Sequence, residues 1–226
     1  MNAKVGRFPA AIIALLLCAT TVVAGDWPDT FVARVEALAL LQTLNAELLS
    51  HDSATATLER WCDSHRLATP PRIVALRARV AEQPPSEEQR RELGARADEP
   101  VRYRHVKLMC GTVLLSEADN WYLPDRLTPE MNRQLDSSDT PFGRVVQALH
   151  FQRHTILAQL LWWPLPEGWE MSSAATATAG GGELRMPAAV LQHRALLTLP
   201  DGTPFSEVVE TYSGNVLAFP APQAAR

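Results

Sequence analysis

The chain has 226 residues, 46% of them hydrophobic and 20% charged, with a net charge of −4. That is enough chain for one domain with a buried core, or one domain with extensions. An acidic chain without a basic run is poorly suited to nucleic acid, so no nucleic-acid partner is expected.

Residues 1–24 read as a secretory signal peptide, with Lys4 and Arg7 ahead of the apolar run PAAIIALLLCATTVV and cleavage after Ala24. The competing reading is a membrane anchor, but the run is short for a bilayer span of about 20 residues. Leu17, directly before Cys18, is large for a lipid-attachment site. The expectation is an exported, periplasmic protein with no stable membrane anchor once the leader is removed. Past the leader only Cys62 and Cys110 remain, which form either one disulfide or two separate buried thiols.

Residues 27–49 carry a helical pattern, with Phe31, Val35, Leu38, Leu41 and Leu44 recurring every three or four residues and Asp29 or Thr30 as cap. Ser53 opens a second short helix through Cys62, and Pro70 and Pro71 block any continuation of helix beyond it. Residues 73–83 begin like a strand and continue like a helix. Residues 84–100 are polar and charged, either a solvated helix or a surface connection.

From Val101 the period becomes two. VRYRHVKLMC, a Gly111-Thr112 turn and the run from Val113 to Leu123 predict a hairpin. LTPEMNRQL predicts a short helix with Pro129 in its first turn, 142–149 a helix or loop, and FQRHTILAQLLWW a strand. Residues 164–188, with SSAATATAGGG, read as a flexible insert. A second hairpin comes next, turning at Pro200-Asp201-Gly202-Thr203, and residues 219–226 form a tail. Helices first and antiparallel strands later argue an α+β fold, a mostly antiparallel sheet flanked by helices, as a single domain over residues 25–218.

Three features could carry chemistry. Arg104 shares a strand face with Arg102, Val106 and Leu108. Glu207 and Glu210 fall on opposite faces of the last strand, so one of them points inward. In Thr140-Pro141-Phe142-Gly143-Arg144, the N–H groups of Phe142, Gly143 and Arg144 can point at one anion, or Asp139 or Thr140 simply caps a helix with Pro141 at its first position. An arginine, an inward glutamate and such a turn suit a small anion with an ionisable group; the plainer alternative is a structural ion pair. His150 and His154 are four apart but lie in a strand-like run without a third ligand nearby, so no metal is expected.

The order DSATATLE, YRHVKLMC, NWYLP, TPFGRVV and HRALLTLPDGTPFSEVVET resembles the chorismate lyase family, over roughly residues 44–216. That resemblance implies a chorismate lyase-like antiparallel sheet and elimination of pyruvate from chorismate to give 4-hydroxybenzoate, without a cofactor. It places the substrate arginine on Arg104, a backbone contact on Phe142 beside Gly143, and the buried acid on Glu210 after a one-residue shift from Val209. The family's methionine falls on Ala54, a departure that opens or reshapes the pocket. Chorismate is made in the cytoplasm, so an exported chain points to a different ligand or to a pocket that only binds. The alternatives are therefore a lyase, an exported non-catalytic binding protein for a small aromatic carboxylic acid, and an envelope protein with a vestigial pocket.

Overall fold

The computed structural model describes residues 27–78, 81–171 and 181–222. The expected leader, residues 172–180 of the expected insert and residues 223–226 of the tail lie outside the described residues.

Helix α1 (Phe31–Leu49) starts where the Thr30 hydroxyl accepts the Ala33 N–H at 3.2 Å. Its buried stripe is Ala33, Ala37, Leu41, Leu44 and Leu48. Phe31, Val35 and Leu38, expected on that face, are only half-buried and flank it. Each fully buried leucine of that stripe contributes about 1.5–3 kcal/mol. Helix α2 (Ala54–Ser64) is capped by Ser53, whose hydroxyl accepts from Ala56 N–H. Residues 73–83 begin as strand β1 (Ile73–Arg77), and the charged stretch after them holds the short helix α3 (Glu87–Glu92), opened by a Ser86–Gln89 capping box.

The remaining elements are β2 (Arg102–Cys110), β3 (Val113–Tyr122), α4 (Pro129–Ser137), α5 (Phe142–Val145), β4 (Gln152–Leu160), β5 (Leu191–Thr198) and β6 (Pro204–Tyr212). The six strands form one sheet in the order β1-β2-β3-β6-β5-β4, antiparallel throughout. The fold is α+β, as expected. Gly111 (φ 57°) and Gly202 (φ 86°) turn the two hairpins in the left-handed region that side chains disfavour.

One face of the sheet carries α1 and α2, which pack Leu41, Leu44, Leu48 and Leu58 against Val106, Leu108, Ala118, Ala195 and Val208. Farther along the same layer, α4 and α5 pack Met131, Leu135 and Phe142 on Tyr122, Leu197 and Phe205. On the far face Leu93 packs with Trp121 and Leu123 behind α3. Cys62 of α2 and Cys110 of β2 are joined as a disulfide with Cα atoms 6.3 Å apart, which ties the helical layer to the sheet.

The described flanks of 164–188 are anchored to the start of α1. Leu184 N–H donates to Trp27 O at 2.7 Å, Asp29 N–H to Gly182 O at 2.8 Å, and Arg34 Nη1 to Pro164 O at 2.7 Å.

Candidate functional site

A cavity with about 40 Å³ of water-accessible space lies between the sheet and the ends of α2 and α5. One water needs roughly 10–15 Å³ by that measure, so the space admits more than a trapped water. Arg104, Glu210, Phe142, Gly143 and Ala54, the residues singled out from sequence, all line it. Leu108, Phe151, Leu197 and Val208 supply apolar wall.

Strand alternation positions Arg104. Residues 104, 106, 108 and 110 of β2 are buried while their neighbours are not, so the guanidinium enters from the floor. Arg104 is 7% exposed. Nη2 donates to Thr140 O at 3.2 Å, whereas Nε and Nη1 are buried without a partner. Among the described residues Arg104 makes no ion pair, although Arg77, Tyr122 and Asp136 border a more polar hollow on its other side. Burial pushes the guanidinium down to about 10, which leaves it charged at neutral pH.

The inward acid is Glu210. It pairs across the sheet with Ala118 on β3 and His193 on β5. Its Oε2 accepts from Arg153 Nη2 at 2.5 Å and from the Tyr212 hydroxyl at 3.1 Å. Burial, and then the Glu210 charge, raise the Tyr212 phenol well above its usual range, so it stays a donor. Glu207 points to the other face, where Arg194 Nε donates to it at 2.8 Å.

The Thr140–Arg144 turn differs from both sequence readings. Pro141 itself is the N-cap, Phe142 is the first helical residue, and no side chain caps the helix. Arg144 N–H is spent on Pro141 O at 3.0 Å, which removes it from the expected donor set. Among the described residues the N–H groups of Phe142 and Gly143 make no backbone hydrogen bond. Gly143 rests against the start of α2: a Cβ there would lie 3.3 Å from Thr55 Oγ1 and 3.4 Å from Ser53 Oγ. The N-terminus of α2 therefore opens onto the cavity beside Arg104, and both favour negative charge. Ala54, 6% exposed, leaves space where a longer side chain would intrude.

Arg153 also lines the cavity, and sequence reasoning did not single it out. It comes two residues after Phe151 on a strand, so alternation alone would have set it on the cavity face. His150 ends a short helical turn at φ 50°, and His154 meets the Thr198 hydroxyl at 3.0 Å. Among the described residues no group of three metal-ligating side chains occurs.

The uncharacterized protein y4mC of Sinorhizobium fredii is 55% identical over 198 residues, covering 87% of this chain and 83% of that protein. No family model matches. Among solved structures, the chain is similar to PhnF from Mycobacterium smegmatis (TM-score 0.46, 15% identity, 78% of this chain and 70% of that one). It is also similar to the C-terminal domain of the histidine utilization repressor from Pseudomonas syringae pv. tomato (TM-score 0.41, 12% identity, 69% of this chain and 97% of that one). Likenesses this distant carry no function across.

Proposed function

The chain belongs to the family of the Sinorhizobium fredii protein y4mC, and we propose that its cavity binds a small aromatic carboxylic acid. One observation carries the reading: Arg104 is buried, charged and short of partners on two nitrogens in a largely apolar cavity. An unfilled guanidinium of this kind costs stability, and a carboxylate would satisfy it through charge-assisted hydrogen bonds. The apolar wall suits a ring, and the N–H groups of Phe142 and Gly143, without a backbone partner among the described residues, add donors near the same end. Titration calorimetry with 4-hydroxybenzoate tests this. The expected result is binding that weakens by about tenfold to a hundredfold in Arg104→Met. No binding by the folded wild type, or equal binding by the variant, would overturn it.

A second reading, chorismate pyruvate-lyase chemistry, draws on one further observation, that Glu210 lines the same cavity as Arg104. Glu210 would move a proton while the enolpyruvyl group leaves as pyruvate and the ring becomes 4-hydroxybenzoate, with positioning and electrostatics supplying most of the rate. Product from chorismate and purified protein, slowed in Arg104→Ala and in Glu210→Gln, is the outcome this reading requires. We also propose export. The leader-like residues 1–24 and the Cys62–Cys110 bond both suit an oxidising compartment. An exported chain is cut off from cytoplasmic chorismate, which favours binding over lysis. Finding the intact leader on cytoplasmic protein would defeat export.

A further inference from the structure

Strand β4 brings a second arginine to the cavity. Arg153 lies opposite Leu197 of β5, and its side chain is 4% exposed. Its Nη2 serves Glu210, but its Nε–H is buried without a partner. Its backbone N–H is pinned by Asp52 Oδ1 at 2.9 Å, which fixes this end of β4 to the loop before α2. Strands β2 and β4 are four inter-strand steps apart in the sheet order. At about 4.8 Å per step their backbones stand roughly 19 Å apart, so the two arginines reach into the cavity from opposite flanks.

The two ends differ in charge. At the β2 end Arg104 has no carboxylate paired with it among the described residues, whereas at the β4 end Glu210 neutralises Arg153. Asp52, the other carboxylate of the lining, is exposed at the mouth. A second anion at the β4 end would stand beside Glu210 in a poorly screened site, where like charges repel strongly. An apolar end would leave the Arg153 Nε–H dry and unbonded. A neutral acceptor oxygen fits both conditions.

We propose that Arg153 sets specificity: its Nε–H selects acids that carry a neutral hydrogen-bond acceptor at the end remote from the carboxylate. This rests on Arg104 holding that carboxylate. The ligand class is thus an oxo- or hydroxy-substituted monocarboxylate, neither a plain hydrocarbon acid nor a diacid.

Three acids of similar shape test it by titration calorimetry on the oxidised protein: 4-formylbenzoate, 4-vinylbenzoate and terephthalate. The formyl acid should bind about tenfold tighter than the vinyl acid, the worth of one hydrogen bond to a charged donor, and terephthalate no tighter than the vinyl acid. Arg153→Met made together with Glu210→Gln strands no buried carboxylate. It should bring the formyl-to-vinyl ratio to about one, whatever the absolute affinities; Arg153→Lys, which keeps a cation but moves the donor, should lower the ratio as well. A ratio near one in the wild type, or a ratio preserved in the double variant, overturns the role of Arg153 and leaves that of Arg104 standing. Failure of the folded wild type to bind any of the three removes the Arg104 reading and this inference with it.

Discussion

Strand β6 carries the same chemistry to both faces of the sheet, and the two faces resolve it differently. Glu207 and Glu210, three residues apart, are both buried and both paired with an arginine from β5 or β4. On the far face one guanidinium, Arg194, serves Glu207 at 2.8 Å, Glu92 at 2.5 Å and Glu88 at 3.4 Å. There acid is in excess, and a proton can cancel it. Burial first, then a hydrogen bond with Glu207, raise the Glu92 carboxyl against the pull of Arg194. On the cavity face two guanidiniums stand against one buried carboxylate, which pairs with Arg153 and leaves Arg104 without one among the described residues. An arginine does not shed its proton at neutral pH, so excess cation can be matched only by an anion from outside. A buried charged residue is therefore no sign of a site by itself; a buried cation with unfilled donors beside a cavity is.

The faces are also held differently, and the largest expected effect comes from breaking the covalent tie on the cavity side. The Cys62–Cys110 bond closes a separation of 48 residues, worth about 4 kcal/mol in the chain-entropy account. Replacing both cysteines with alanine should lower the urea-unfolding free energy by about that much. A loss below about 1 kcal/mol would mean that packing alone seats α2 on β2. On the far face Arg194→Met leaves Glu207, which is 0% exposed, without a cation and with the Gln89 amide at 3.3 Å as its remaining donor among the described residues. Because Arg194 is itself partly exposed, the cost should sit near the low end for a broken buried pair, about 3 kcal/mol. A smaller deficit at acid pH than at neutrality would identify the stranded carboxylate as its source.

Acid should push the two faces in opposite directions. His193, fully buried beneath Glu210, meets Asn45 Oδ1 at 2.8 Å through Nε2 and has no partner at Nδ1. Burial pushes its imidazole from 6.5 down to about 4, with Glu210 pulling up and Arg153 pushing down. Below the unfolded value the unfolded chain takes a proton that the fold refuses, so stability falls as pH drops from about 6.5 to about 4. The full loss is up to about 3 kcal/mol at about 1.4 kcal/mol per unit. Glu92 has the reverse sign. Its carboxyl is raised, so the fold holds a proton that the unfolded chain has lost, and its contribution fades as pH rises. Urea unfolding across pH 4–7.5 should show a flatter acid limb in His193→Gln. A wild-type-minus-variant difference that does not change with pH would break the assignment.

Legibility in the sequence depends on the range of each interaction. Arg104 could be placed because β2 alternates locally with Val106 and Leu108, and the Ser53 cap and the Gly202 turn are likewise local signals. Alternation also put Glu207 and Glu210 on opposite faces, but only the docking of α1 and α2 decides which face is the cavity side. Arg153 finds its partner 57 residues away, and no local pattern encodes that. The α5 start differs from the sequence expectation by one residue: Pro141 is the cap, the helix starts at Phe142, and Arg144 N–H then falls to Pro141 O.

Arg104→Met gives the smallest change in stability and separates the faces most sharply, because its sign is expected to be reversed. Truncating Arg194 breaks ion pairs, whereas Arg104 has none among the described residues to break, only one hydrogen bond to Thr140 O and two unfilled nitrogens. Removing a buried donor that has no partner relieves its desolvation cost, while methionine keeps an apolar stem in the wall that Val106 and Leu108 also line. Loss of the Thr140 contact offsets part of the gain, so the ligand-free variant should be more stable than the wild type by about 1 kcal/mol in urea. Saturating carboxylate should invert the order, since the tenfold to hundredfold tighter binding by the wild type is worth about 1.4–2.7 kcal/mol more stabilisation than the variant receives. A variant destabilised by about 3 kcal/mol or more without ligand, the cost expected of a broken buried pair, would mean that Arg104 is a structural cation like Arg194 and that the cavity is not waiting for an anion.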